Sequence, residues 1–137
     1  MKKKLNCILL IDDDNDDNFF HQIVIKKMNI TERIEVILDG GEAIEFLTKE
    51  NKTPPDLIFL DINMPKMNGW EFLESYKKLS AEHKAKVVVV MLTTSINPDD
   101  KKRGEQFSEI IGFNSKPLTE EMIKEILDRY FPDIEYK

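Results

Sequence analysis

Short apolar runs alternate with amphipathic stretches along this chain, and that alternation constrains the fold more than any other feature. Cys7 to Ile11, Ile34 to Leu38, Asp56 to Leu60, Val87 to Leu92 and Ile110 to Phe113 read as strands, bounded by turn formers. The run VVVVML at 87–92 is the most strand-like, because β-branched side chains favour a pleated, buried surface. Between the runs the apolar period becomes helical. Asn15 to Asn18 can cap a first helix with Phe20, Ile23, Val24 and Met28 at its apolar positions. Asp39-Gly40-Gly41 precedes a second, with Ala43, Ile44, Phe46 and Leu47, which the segment 51–55 breaks. The third runs from about Trp70 to Leu79, with Phe72 or Leu73, Tyr76 and Leu79 inward. The fourth, roughly 98 to 108, starts with Asn97 as cap and Pro98 in the first helical position. Phe107 is its single large apolar residue and Gly104 interrupts it, so it is expected to be the most loosely held helix. The fifth, Glu120 to Phe131, places Ile123, Ile126, Leu127 and Tyr130 on one face. Alternation of this kind forces an α/β fold, a parallel sheet covered on both faces, with its ligands beyond the carboxyl ends of the strands.

The 137 residues are expected to form a single domain, 1–137, without a separately folded output module. A net charge of -6 argues against nucleic acid as a partner, because binding there is driven by basic contacts that release counterions. Cys7 is alone and lies within an apolar run, which fits a small buried hydrophobe in a reducing cytoplasm. The three lysines ahead of the first apolar run imitate a signal peptide, but consecutive aspartates stop that run and no small-residue cleavage site follows. No stretch approaches the ~18 apolar residues of a membrane helix, so a cytoplasmic protein with no membrane partner is expected.

The residues just past the apolar runs carry the chemistry. Asp12 and Asp13 follow the first, Asp61 the third, Thr93 the fourth, and Lys116 lies beyond the fifth. In a parallel sheet all of them reach one edge. Two carboxylates ~4 Å apart repel by roughly 4 kcal/mol at an effective dielectric of 20, so the three acids need a cation. With oxygen ligands alone, Mg2+ is the natural choice. Such an ion attracts phosphoryl oxygens, Lys116 adds a second positive charge and Thr93 a hydroxyl, and Asp61 can then act as a nucleophile that carries phosphate.

From Cys7 to about Phe131 this pattern resembles the receiver domain of two-component response regulators. The acidic pair looks like Asp12 and Asp13; the phospho-accepting aspartate and the residues after it match Asp61, Asn63, Met64 and Pro65; the hydroxyl residue matches Thr93; the lysine before proline matches Lys116-Pro117. The resemblance implies a doubly wound sheet of five parallel strands in the flavodoxin-like order 2-1-3-4-5 with five helices, in three αβα layers. It also implies a backbone carbonyl of Asn63 on the metal, a cis bond before Pro117, structural roles for Pro65 and Gly69, and an aromatic switch at Phe113. Phe113 stands where many members have tyrosine, so the switch would work by ring packing alone. Asp14 is a third acid beside the pair and Thr94 a second hydroxyl beside Thr93. Asn68 replaces the aspartate often found before the glycine, which alters turn capping. Resemblance to regulators that accompany phytochrome-type kinases is of lower specificity.

Rival readings fit less well. As an EF-hand starting at Asp12, the chain would put Asp17 where glycine is needed and Ile23 where the bidentate glutamate belongs. A phosphatase of the haloacid dehalogenase type needs a second aspartate where Asn63 stands, and a flavin carrier needs donors where Asp12 to Asp14 stand. His21 and His83 have no triad or metal spacing and are expected in surface or partly buried structural roles. The expected function is a stand-alone receiver that is not an enzyme. It would take phosphate from a sensor histidine kinase or phosphotransfer protein and bind an unidentified downstream protein through the face of the fourth helix, fifth strand and fifth helix, which would also serve a homodimer. The alternative is a phosphate sink without an output partner.

Overall fold

The computed structural model describes residues 3–49, 54–64, 67–85, 88–93 and 98–136, with the backbone alone at 88–91 and 93. Strands and helices alternate as β1 (Leu5–Ile11), α1 (Asn15–Met28), β2 (Thr31–Ile37), α2 (Gly40–Thr48), β3 (Leu57–Asp61), α3 (Gly69–Lys77), β4 (Val88–Thr93), α4 (Pro98–Gly104), β5 (Ile110–Ser115) and α5 (Glu120–Tyr130). A single 3-10 turn, Ala81–His83, precedes β4. All neighbouring strands are parallel, in the order β2-β1-β3-β4-β5. The register pairs Ile11 with Leu60, Asp61 with Leu92 and Thr93 with Ser115, so the strands end nearly level and the residues after them share one edge.

Period-two alternation sends strand residues to two cores. Ile8, Leu10, Leu57 and Phe59 pack with Ile25 and Met28 of α1 and with Ile123, Ile126 and Leu127 of α5. Leu9, Ile11, Ile58 and Leu60 pack on the other face with Ala43, Leu47, Trp70, Phe72, Leu73, Tyr76 and Phe107. Every residue of β3 is buried. At ~1.5–3 kcal/mol for each large side chain fully buried, this strand is a firmly held mount for a residue at its end.

Several boundaries differ from the sequence reading. β1 starts at Leu5, and β2 covers Thr31–Ile37 instead of Ile34 to Leu38, leaving Leu38 43% exposed. Backbone pairing from Leu5 with Thr31 onward sets those limits, and polar side chains on an edge strand give no sign of it. Asp56 precedes β3 instead of opening it, and its carboxylate accepts from Asn6 N–H at 2.6 Å. α3 stops at Lys77 and α4 at Gly104, each shorter than expected, whereas β5 runs on to Ser115.

The largest correction concerns α1. Its inward face is Asn18, His21, Ile25 and Met28, while Phe20 and Ile23 are 45% and 48% exposed. The cap is Asp14, whose side chain accepts from Asp16 N–H and Asp17 N–H, and not a residue of 15–18. Two polar side chains therefore occupy the buried stripe where apolar ones were expected. Each has one side-chain nitrogen bonded, which offsets part of the cost of burial: Asn18 Nδ2 donates to Asp12 O at 2.8 Å, although Asn18 Oδ1 has no partner among the described residues, and His21 Nε2 accepts from Leu118 N–H at 3.3 Å.

Candidate functional site

Asp12, 3% exposed, leaves the end of β1, and its Oδ1 accepts from Asp14 N–H at 3.0 Å. Asp14 turns away to cap α1, which settles the register of the acidic run: Asp12 and the exposed Asp13 face the strand ends. Asp61, 5% exposed, closes β3, and its Oδ1 accepts from Asn63 N–H at 3.1 Å. Asp12, Asp13 and Asp61 each offer a carboxylate oxygen, all within 4.8 Å of one another. A set of three hard oxygen donors fits Mg2+ in its chemistry and leaves coordination positions for water or phosphoryl oxygens.

Lys116 follows β5 at once, because that strand extends to Ser115. Its Nζ lies 2.7 Å from Asp12 Oδ2, 2.7 Å from Asp17 Oδ2 and 3.4 Å from Asp61 Oδ2. The peptide bond to Pro117 is cis. Burial, and then Asp12 beside it, push the Asp61 carboxyl up to about 6, against the pull of Asn63 N–H and Lys116. Burial works against the charge of Lys116, but hydrogen bonds to Asp12 and Asp17 outweigh it and hold the ammonium above its ordinary value.

Gly69 brings the turn after β3 back onto the site. Its N–H donates to Ile62 O at 3.1 Å, and a Cβ there would sit 2.6 Å from Ile62 Cα and 2.9 Å from Asp61 O. Close backbone approach is thus what requires glycine at this position. Asn68 and Glu71 form a reciprocal cap on α3, with Asn68 Oδ1 accepting from Glu71 N–H at 2.9 Å and Glu71 Oε1 from Asn68 N–H at 3.0 Å.

Phe113, on β5, is half-buried, its ring in edge contact with Trp70 at 6.1 Å between centroids. It lies against Gly104 of α4, where a Cβ would approach Phe113 Cζ to 2.6 Å. Gly104 is therefore the opening in α4 that admits the ring, beyond being an interruption of the helix. The Thr93 side chain, Thr94 and Pro65 lie outside the described residues; the Thr93 backbone closes β4 beside Ser115. Sequence reasoning missed Asp17, Asn18 and His21. For Asn18 and His21 the spacing with Ile25 and Met28 was the available sign, since 18, 21, 25 and 28 follow a helical stripe; Asp17 lies off it.

Residues 8–128 match the response regulator receiver domain, and the chain belongs to that family. Response regulator Rcp1 of Synechocystis sp. is 39% identical over 97 residues, covering 68% of this chain and 65% of that protein. The crystal structure of its Mn(2+)-bound form aligns with a TM-score of 0.76 at 28% identity, over 96% of this chain and 99% of that one. The probable methanogenesis regulatory protein FilR2 of Methanothrix harundinacea is 30% identical over 106 residues, 75% of this chain and 66% of that protein. A two component response regulator from Cytophaga hutchinsonii aligns with a TM-score of 0.82 at 31% identity, over 93% of this chain and 97% of its own. The chain spans just under two thirds of the length of both curated relatives. Among the described residues no helix is long and apolar enough to cross a membrane.

Proposed function

We propose that Asp61 accepts a phosphoryl group from a sensor histidine kinase or phosphotransfer protein, and that the phosphorylated chain presents an altered face around α4, β5 and α5 to a protein partner. Receiver domains are signalling proteins that take phosphate from histidine kinases, and aspartate phosphorylation with Mg2+ is general to them. The observation that supports this role here is one arrangement: Asp61 is buried at the end of the central strand β3, within 3.4 Å of Lys116 Nζ and beside Asp12 and Asp13.

In this reading Asp12, Asp13, Asp61 and the Asn63 carbonyl would hold Mg2+, which would supply positive charge against the phosphoryl oxygens. One Asp61 oxygen would bond to phosphorus as the bond from phosphorus to the donor's imidazole nitrogen breaks in line, its electron pair returning to that nitrogen. Asn63 N–H orients the carboxylate through its 3.1 Å bond, and Lys116 supplies a fixed positive charge to the incoming oxygens. Burial of Asp61 excludes competing water. Phe20, Ile23, Val24, Pro117, Leu118 and Thr119 line an open groove next to Lys116, an apolar surface suited to docking the phosphate donor.

The output is a population shift. Thr93 would turn toward the phosphoryl group and Phe113 would follow into the space it leaves. A nearly complete switch needs about 5.5 kcal/mol of preference for the active state. α4 suits such a movement, since Gly104 is its single buried residue among those described.

The test is incubation with acetyl phosphate and Mg2+. The wild type should gain phosphate that hydroxylamine removes, as an acyl phosphate requires, and Asp61→Asn should not. Equal labelling of the variant, or none of the wild type, would sink the proposal. Hydrogen exchange in α4 that stays unchanged on adding a beryllofluoride mimic of the phosphate would remove the switch while sparing the acceptor.

A further inference from the structure

Lys116 contacts three carboxylates, and one of them has no part in the cation site. Asp12 and Asp61 belong to the cluster whose oxygens lie within 4.8 Å of one another; Asp17 does not. Yet Asp17 Oδ2 lies 2.7 Å from Lys116 Nζ, as close as Asp12 Oδ2 and closer than the 3.4 Å of Asp61 Oδ2. An ammonium has three donors and no acceptor, and its contact with Asp17 Oδ2 has hydrogen-bond geometry as well as opposite charge.

That balance changes once Asp12 and Asp61 serve a divalent cation. Lys116 then shares two of its partners with a like charge, and Asp17 becomes its one uncommitted counter-ion among the described residues. We propose that Asp17 is a positioning residue that tethers the Lys116 ammonium beside Asp61 while the other two carboxylates hold the cation. The role in phosphoryl transfer rests on Asp61 as the acceptor.

The surroundings of Asp17 are built for holding position. It sits in the first turn of α1, where its own N–H is bonded to the Asp14 cap at 3.1 Å. The next residue, Asn18, is 2% exposed and donates to Asp12 O at 2.8 Å, which fixes this turn to the end of β1. One turn further on, His21 is 2% exposed and accepts from Leu118 N–H at 3.3 Å, which fixes α1 to the loop after Lys116. A helix stripe that should be apolar thus spends two buried polar side chains on tying down both ends of the Asp17–Lys116 contact. The Asp17 side chain is itself 38% exposed, so replacing it leaves the core intact.

The experiment compares wild type, Asp17→Asn and Asp17→Glu at saturating Mg2+, with two readouts. In the first, the 15N-labelled Lys116 ammonium is followed by NMR without any phosphate donor. Its resonance should be ordered and slowly exchanging in wild type and Asp17→Glu, and lost to exchange in Asp17→Asn. In the second, labelling by acetyl phosphate should slow about tenfold in kcat for Asp17→Asn with KM changed less than about twofold, and recover to within about threefold of wild type in Asp17→Glu. An ammonium that stays ordered in Asp17→Asn, or labelling that is undiminished, overturns the tether. A wild type that takes no label while its ammonium still depends on Asp17 overturns the acceptor reading of Asp61 and the role in transfer, and leaves the tether standing.

Discussion

A buried acid placed for chemistry should weaken the fold that holds it, and Asp61 allows that cost to be worked out. Its carboxyl binds a proton more tightly in the folded chain, at about 6, than at its ordinary 3.8. The ionised form is therefore disfavoured by folding. The penalty is absent below about pH 4, grows between about 4 and 6, and is complete above about 7, because stability falls with pH wherever the folded state binds more protons. About 2 units at ~1.4 kcal/mol each give roughly 3 kcal/mol. Asp61→Asn removes the charge and keeps an oxygen for Asn63 N–H, at the loss of the 3.4 Å contact with Lys116. The variant should thus be about 2 kcal/mol more stable than wild type at pH 8 in EDTA, and its Tm about 6–10 °C higher for a chain of this size. Urea unfolding across pH 4 to 8 is the assay, and the gap should close toward pH 4. Adding Mg2+ at about ten times its dissociation constant should stabilise wild type by about 1.4 kcal/mol and the variant by less. A variant no more stable than wild type at pH 8, or a gap that does not change with pH, refutes the reasoning.

Three other substitutions test separate parts of the structure. Gly104→Ala would drive a Cβ to 2.6 Å from Phe113 Cζ, so the ring must move; a loss of about 1–2 kcal/mol by thermal unfolding and a changed emission from the adjacent Trp70 are expected, and unchanged emission would mean the ring was not displaced. Tyr76→Phe leaves Ala85 N–H without the phenol oxygen it donates to at 2.8 Å, and should cost about 1–2 kcal/mol in urea unfolding. Ile23→Glu, on the 48% exposed position of the groove, should change stability by less than about 0.5 kcal/mol and leave acetyl phosphate labelling intact, while slowing phosphotransfer from a cognate kinase at least several-fold.

The parts of this fold that were legible in the sequence are those where one physical signal dominates. Runs such as Leu57 to Leu60 are buried on both faces and so are apolar at every position, and the aspartate that follows is thereby placed at a strand end. The cluster of Asp12, Asp13, Asp61 and Lys116 followed from the strand ends alone, because a parallel sheet brings them to one edge regardless of how the helices pack. Boundaries were less legible where pairing and not side-chain type sets them, as in β2, whose first residues are polar and are held by the β1 backbone.

The rotation of α1 was illegible for a more interesting reason. Counting apolar residues pointed the helix by Phe20, Ile23, Val24 and Met28, on the assumption that a helix turns its most apolar stripe inward; Met28 is buried and Val24 partly so, but Phe20 and Ile23 face out. Here the site wins over the stripe. Asn18 and His21 find partners on Asp12 and Leu118 that solvent-facing positions would deny them, and Asp17 reaches Lys116 from the same side. Turning Phe20 and Ile23 inward would strand the Asp12 carbonyl and Leu118 N–H without these bonds, at about 1–3 kcal/mol for each buried group left unpaired. It would also hide the groove that these residues line with Pro117 and Leu118. The exposed Phe20 and the buried His21 are two results of one orientation, set by the polar edge of the sheet. Asp17→Asn combined with His21→Leu should accordingly loosen the loop that carries Lys116, seen as faster amide exchange at Leu118, while the β3 core amides keep their protection.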